Sequence, residues 1–215
     1  MVEILRRLKP ERNGAVTGEM EGRGVRYGLN YGVAIPVIRR VARDYAPDPA
    51  LAEYLFRQDI RELKLAAVYV ADPAAVAAEQ MERWAGGMPA DEIMEHAAMS
   101  LFYASPEAVL VIPAWLDADR TRQKGALHMA GRRAAAGLSS SDEAQAHWRR
   151  IEEMLEKNRE LPQRAAVYAL CRMAENHAPL FDAICHWAAG LPDDAPEPIR
   201  EIAAEVSALL EYRGK

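Results

Sequence analysis

The sequence predicts an all-α protein: an α-solenoid of about six antiparallel helix pairs with one concave face. Three observations carry that reading. Half of the 215 residues are hydrophobic, and Ala leads them, followed by Leu, Val, Ile and Met, with only three Phe. Ala, Leu, Met, Glu and Arg are strong helix formers, and runs of β-branched residues are scarce. Helical periodicity recurs along the chain, cut by Pro, Gly and Asp at short intervals, with no alternation long enough for a strand.

The elements follow in order. Pro36 sits in the first turn of a helix running to Arg43, and Pro47 and Pro49 end it and start the next. Asp59 is expected to cap Ile60 to Ala71, with Glu62 completing a capping box. Asp72-Pro73 breaks that helix and starts another. Pro89-Ala90-Asp91 precedes a helix over Glu92 to Tyr103, and Ser105-Pro106 starts Glu107 to Leu116. Gly137 and Ser139-Ser140-Ser141-Asp142 form a loop and cap before Glu143 to Lys157. Pro162 opens Gln163 to Glu175, Pro179 opens the next helix, and Pro192 to Pro198 lead into the last, Ile199 to Tyr212.

Four of these helices look alike. Each has a polar start, then small residues, then a bulky apolar turn. Aligning Ala66, Ala98, Ala126 and Ala166 gives spacings of 32, 28 and 40 residues, which bracket a two-helix repeat of HEAT type. Each pair would bury its apolar face on the next, so one domain over residues 1–215 is expected.

Several functions are excluded or disfavoured at this level. No apolar run approaches the roughly 20 residues a membrane span needs. Met1 to Pro10 carries Arg6, Arg7 and Lys9 with no apolar stretch behind it, so no secretory signal is expected. Cys171 and Cys185 are too few for a disulfide framework or a zinc site, and both read as small core residues in a reduced, cytoplasmic setting. His128, His147, His177 and His186 show no close metal-ligand spacing, and no cofactor is expected. Gly22, Gly24, Gly28 and Gly32 do not form a nucleotide fingerprint. Trp84, Trp115, Trp148 and Trp187 read as core, and Tyr27 and Tyr31 as packing the first repeats. Arg39 and Arg40 read as lying on an exposed helix face.

Charge is unevenly spread. The total is −5, yet residues 1–45 carry +4 and 111–172 carry +3, whereas 46–110 carry −7 and 173–215 carry −5. Two basic stretches on one concave face would suit nucleic acid despite the acidic total.

Three segments carry a family resemblance. Tyr31-Gly32-Val33-Ala34-Ile35-Pro36-Val37-Ile38-Arg39-Arg40-Val41-Ala42 resembles the FGV-x-x-P-x-L-R-x-x-A opening of the AlkD-like DNA alkylation repair family. Asp59 to Ala67 resembles its E-x-R-x-x-A helix, and Pro162 to Arg172 its Q-K-A-I-G-W-x-L-R helix. The match runs over about residues 25–190. The resemblance implies a HEAT-like solenoid that removes N3- or N7-alkylated purines from duplex DNA without metal or cofactor. A solenoid needs no partner to be stable, so a monomer is expected.

It also implies site residues. The family's W-D-x-x-D element aligns with Asp91 to Glu95. Glu95 falls at the catalytic aspartate, Glu92 at the first aspartate and Asp91 at the tryptophan, leaving Asp91 and Glu92 as accessory candidates. Tyr168 falls at the family's second tryptophan, and Lys124 at its phosphate-contacting arginine. Arg164 is a further DNA-contact candidate, and His96 beside Glu95 is a possible assistant. The alternative expectation is a non-catalytic scaffold that binds DNA structure or a protein partner.

Overall fold

A computed structural model describes residues 1–192 and 194–213. Among the described residues there are thirteen α-helices and no strand. They divide into two compact units, residues 1–106 and the remainder.

The first unit holds α1 (Val2–Leu8), α2 (Gly14–Gly22), α3 (Ile35–Arg43), α4 (Pro49–Phe56), α5 (Arg61–Val70), α6 (Ala78–Gly86) and α7 (Asp91–Ser100). The second holds α8 (Ala108–Leu116), α9 (Arg120–Ala135), α10 (Ser141–Glu156), α11 (Gln163–Asn176), α12 (Ala178–Ala189) and α13 (Glu197–Arg213). In the first unit α5 packs against α3 and α7 on either side and against α4. In the second, α11 packs between α9 and α13 and against α12. Each unit thus lays odd-numbered helices side by side, with α4 packed onto α5 in the first and α8 onto α9 and α12 onto α11 and α13 in the second. The four aligned alanines, Ala66, Ala98, Ala126 and Ala166, are all fully buried on α5, α7, α9 and α11. Small side chains there let neighbouring helices approach closely, which is why the repeat is visible in the sequence.

Local signals set most helix starts. Asp48, Asp119 and Ser140 accept backbone N–H groups as N-caps of α4, α9 and α10. The expected cap of α5 is different. Ile60, not Asp59, precedes the helix, and it makes no side-chain cap bond. Residues 28–33 run past the helix start instead. Leu29 pairs with Ile60 in a single parallel bridge, and the Leu29 carbonyl takes the Arg61 N–H at 2.9 Å. Glu62 therefore closes no capping box; it accepts the N–H groups of Tyr31 and Val33. Gly28 permits this passage, because a Cβ there would lie 2.0 Å from the Asp59 carboxylate. The helix expected over Glu92 to Tyr103 also breaks, at Leu101, and continues as a 3-10 turn over Phe102–Ala104.

The largely aliphatic core of the first unit holds one aromatic cluster. Phe56 and Trp84 stack at 4.1 Å with rings 4° from parallel, and Phe102 tilts against Trp84 at 6.2 Å. Trp84, Trp115 and Trp148 are buried as expected, and Trp187 is half-buried. Cys171 is buried and Cys185 half-buried, and the two form no disulfide with each other.

In the second unit α9 and α11 meet at Gly131. A Cβ on Gly131 would stand 2.8 Å from the Tyr168 ring and 2.9 Å from the Ala169 Cα. The second of these is backbone and cannot swing away. Gly131→Ala is expected to destabilise the second unit by about 1–3 kcal/mol, despite the better helix propensity of Ala. Chemical denaturation checks it; a stabilised variant would mean that α9 and α11 slide apart at little cost.

Candidate functional site

The acidic candidates share the start of α7, and the structure separates their roles. Glu92 lies in the first turn and is half-buried, with its side chain 25% exposed. It accepts a two-pronged bond from Arg61, Nε to Oε2 at 2.8 Å and Nη2 to Oε1 at 2.6 Å. The Tyr27 hydroxyl donates to the same Oε2 at 2.8 Å. Arg61 itself is 4% exposed, and its Nη1 donates to the Val33 carbonyl and to Glu62. Glu62 is fully buried and is bonded in turn by the Tyr31 and Val33 amides. One chain of charge-assisted bonds therefore runs from α5 to the 27–33 segment and to the first turn of α7.

The electrostatics follow from this geometry. Burial alone would raise the Glu92 carboxyl, but the bonds and charge of Arg61, helped by Tyr27, outweigh it and hold Glu92 below the usual carboxylate range. Burial, then the Glu92 charge, pushes the Tyr27 phenol far up. Burial would lower the Arg61 guanidinium, yet Glu92 and Glu62 leave it raised. Glu92 is thus an ionised anchor with its oxygens occupied. It fits neither proton donation nor contact with a reacting sugar.

Glu95 is one turn further on and is exposed. Its carboxylate accepts no hydrogen bond among the described residues. His96, next to it, is half-buried, with Nδ1 2.9 Å from the Tyr69 hydroxyl on α5. Burial, aided by the charges of Arg39 and Arg61, lowers the His96 pKa against the pull of Glu92 and Glu95. On α3, Arg40 is exposed as expected, but Arg39 is half-buried with its guanidinium over the Tyr69 ring at 5.1 Å. Asp91 is exposed at the helix start.

The other candidates lie in the second unit. Tyr168 on α11 is half-buried. Its ring is 5.7 Å from that of His128 on α9, and the Arg172 guanidinium lies 5.6 Å from its centroid. Arg164, one turn earlier on α11, is exposed. Together with Tyr168, Arg172, Glu175 and Glu205 it lines a cavity of about 250 Å³. Arg172 is tied to Glu175 at 2.7 Å. Lys124 is half-buried in the second turn of α9. The structure therefore groups Asp91, Glu92 and Glu95 on one helix, and Tyr168 and Arg164 on another.

Sequence patterning does not mark Arg61 or Tyr69 as site residues, and it reads Tyr27 as packing and Arg39 as lying on an exposed face. Arg61 lies inside a matched motif, but its partner Glu92 is 31 residues away and Tyr27 is 65 residues from Glu92. Among the described residues, no group of three or more His, Cys, Asp or Glu could hold a metal ion. No described helix is long and apolar enough to cross a membrane.

Comparison with known proteins adds to this. The model of a family described as DNA alkylation repair enzyme matches residues 4–203. A solved structure is similar over 96% of this chain and 93% of its own, with a TM-score of 0.75 and 17% sequence identity. It comes from a family of proteins related to the HEAT-like repeat DNA glycosylases with affinity for branched DNA structures. That likeness establishes an all-α, HEAT-like repeat fold. No curated protein matches the chain.

Proposed function

Because the chain belongs to the DNA alkylation repair enzyme family, we propose that it binds duplex DNA and excises N3- or N7-alkylated purines, with Glu95 as the working carboxylate. The observation that carries this reading is the division of labour on α7. Glu92 is consumed by Arg61 and Tyr27, whereas Glu95, at the family's catalytic position, is exposed and takes no hydrogen bond among the described residues.

An alkylated purine is cationic and leaves with the electron pair of its glycosidic bond. Positive charge then builds on the sugar, and a carboxylate beside it lowers that barrier and orients water. Water adds at the anomeric carbon and loses its proton to solvent, so the balance requires no cofactor. In the second unit Tyr168 offers a stacking face for a nucleotide, and Lys124 and Arg164 offer charge to the phosphate backbone. Lys124 holds a phosphate as a point charge, without the planar fork of an arginine.

Release of methylated bases from alkylated duplex DNA tests the reading. Wild type should release them, and Glu95→Gln should slow release by roughly 10²- to 10³-fold, the usual loss when one electrostatic group is removed from such a site. Equal rates would remove Glu95 from the chemistry.

One feature favours a second reading, in which the protein binds DNA structure without cutting a glycosidic bond. Asp91 stands where the family resemblance places a tryptophan, so that stacking wall is missing. The similar solved structure belongs to proteins with affinity for branched DNA. No base release by folded wild type, together with tighter binding to a four-way junction than to a linear duplex, would establish this reading in place of the first.

A further inference from the structure

We propose that Arg39, Tyr69 and His96 form a subsite in the first unit for one backbone phosphodiester of bound DNA. The three side chains come from α3, α5 and α7, which pack in that order. The Arg39 guanidinium lies 5.1 Å from the Tyr69 ring centroid, and the Tyr69 hydroxyl is 2.9 Å from His96 Nδ1.

Two facts set Arg39 apart. Its Nε is buried with no hydrogen-bond partner. It also makes no ion pair with any described carboxylate, whereas the two buried arginines, Arg61 and Arg133, are each held by two bonds to a carboxylate, Glu92 and Glu143. Covering part of an arginine without a hydrogen bond or a carboxylate partner is costly, and an anion that reaches this half-buried side chain would offset that cost. The Tyr69 ring beneath the guanidinium holds it at this place, and a planar fork matches two oxygens of a phosphate.

His96 supplies the second donor. A neutral ring that accepts the Tyr69 proton at Nδ1 carries its own on Nε2. Burial disfavours the charged ring, in keeping with a neutral donor. Two carboxylates act on His96: Glu92, which is paired with Arg61, and Glu95, the residue before it on α7, whose charge a bound phosphate must tolerate. A phosphate held here stands beside the helix turn that carries Glu95. The inference rests on the DNA-binding part of the proposed function and does not depend on base release.

The test is duplex DNA binding by fluorescence anisotropy over a salt series. Each phosphate contact contributes about 0.9 to the slope of log affinity against log salt. Arg39→Gln is expected to lower that slope by about 0.9 and to weaken binding roughly tenfold at fixed salt. Arg39→Lys should keep the slope and still weaken binding, because it retains the charge and loses the fork. It also serves if the glutamine variant does not fold. Arg57→Gln, the same charge change at an exposed position, should leave the slope unaltered. Wild-type binding with an unchanged slope in Arg39→Gln overturns the subsite alone. No DNA binding by wild type overturns the DNA reading and the subsite with it. Free phosphate is the other source of the same chemistry. Thermal stabilisation by inorganic phosphate that Arg39→Gln abolishes, with the DNA slope untouched, would overturn the diester assignment.

Discussion

Arg61→Ala should destabilise the first unit by about 3–5 kcal/mol, the cost of removing one partner from a buried ion pair. The size follows from what the substitution strands. Arg61 satisfies Glu92 through two bonds and fills part of the acceptor capacity of Glu62, a carboxylate fully out of solvent. Once the guanidinium is gone, Glu62 keeps only the Tyr31 and Val33 amides against its desolvation. Arg61→Lys should recover little, because one ammonium cannot reach Glu92 twice and also bond the Val33 carbonyl. Tyr27→Phe removes a single donor to Glu92 and should cost about 1 kcal/mol. Hydrogen exchange at the Tyr31 and Val33 amides locates the effect, since both should lose protection in Arg61→Ala. A loss under about 1 kcal/mol, the scale of an exposed pair, would mean that water replaces the arginine and that the network is not a structural tie.

That network also marks the boundary of what the sequence discloses. The repeat was legible because its signal is local. Ala66, Ala98, Ala126 and Ala166 recur, fully buried, on α5, α7, α9 and α11, and Asp48 and Ser140 cap helices within three residues of themselves. The start of α5 misleads for the opposite reason. Asp59 and Glu62 have the spacing of a capping box, but a segment some 30 residues upstream satisfies the helix end through Leu29 and claims Glu62 for its own amides. Helices α1 and α2 were not foreseen. The second carries four residues, Gly14, Gly18, Gly22 and Thr17, that weaken any helical pattern, and it buries none of its own.

For the candidate site, the resemblance brings the sequence reading to α7 and no further. Asp91, Glu92 and Glu95 are three acids within five residues, and nothing along the chain ranks them. The ranking comes from Tyr27 and Arg61, which belong to other elements. Arg39 is similar: its spacing in α3 suits an exposed face, and only the neighbouring Tyr69 reveals that its stem and Nε are covered. Charge networks assembled from distant elements are therefore where a sequence reading stops.

Trp84→Ala is the second large effect, with an expected loss of about 3–5 kcal/mol for removing a buried indole. Trp84 is 1% exposed and lies between Phe56, stacked at 4.1 Å, and Phe102. Its Nε1–H also donates to Glu53 at 3.2 Å, which links α6 to α4. The damage should extend beyond the cavity. Lys64, buried on α5, has its ammonium 4.6 Å from the Phe56 ring and bonded to the Phe56 carbonyl at 2.8 Å. Burial already lowers the Lys64 pKa, so this cation depends on the ring and carbonyl held in place by the stack. Trp84→Phe keeps a stacking surface and loses the Glu53 bond, so it should cost clearly less than the alanine variant. Denaturation midpoints of Trp84→Ala, Lys64→Met and the double variant measure the coupling. A double-variant loss smaller than the sum of the single losses is expected if the stack supports the ammonium, because residues in one contact network are not additive. Strict additivity would show that Lys64 stands without Trp84, and the stack would then be a packing unit alone.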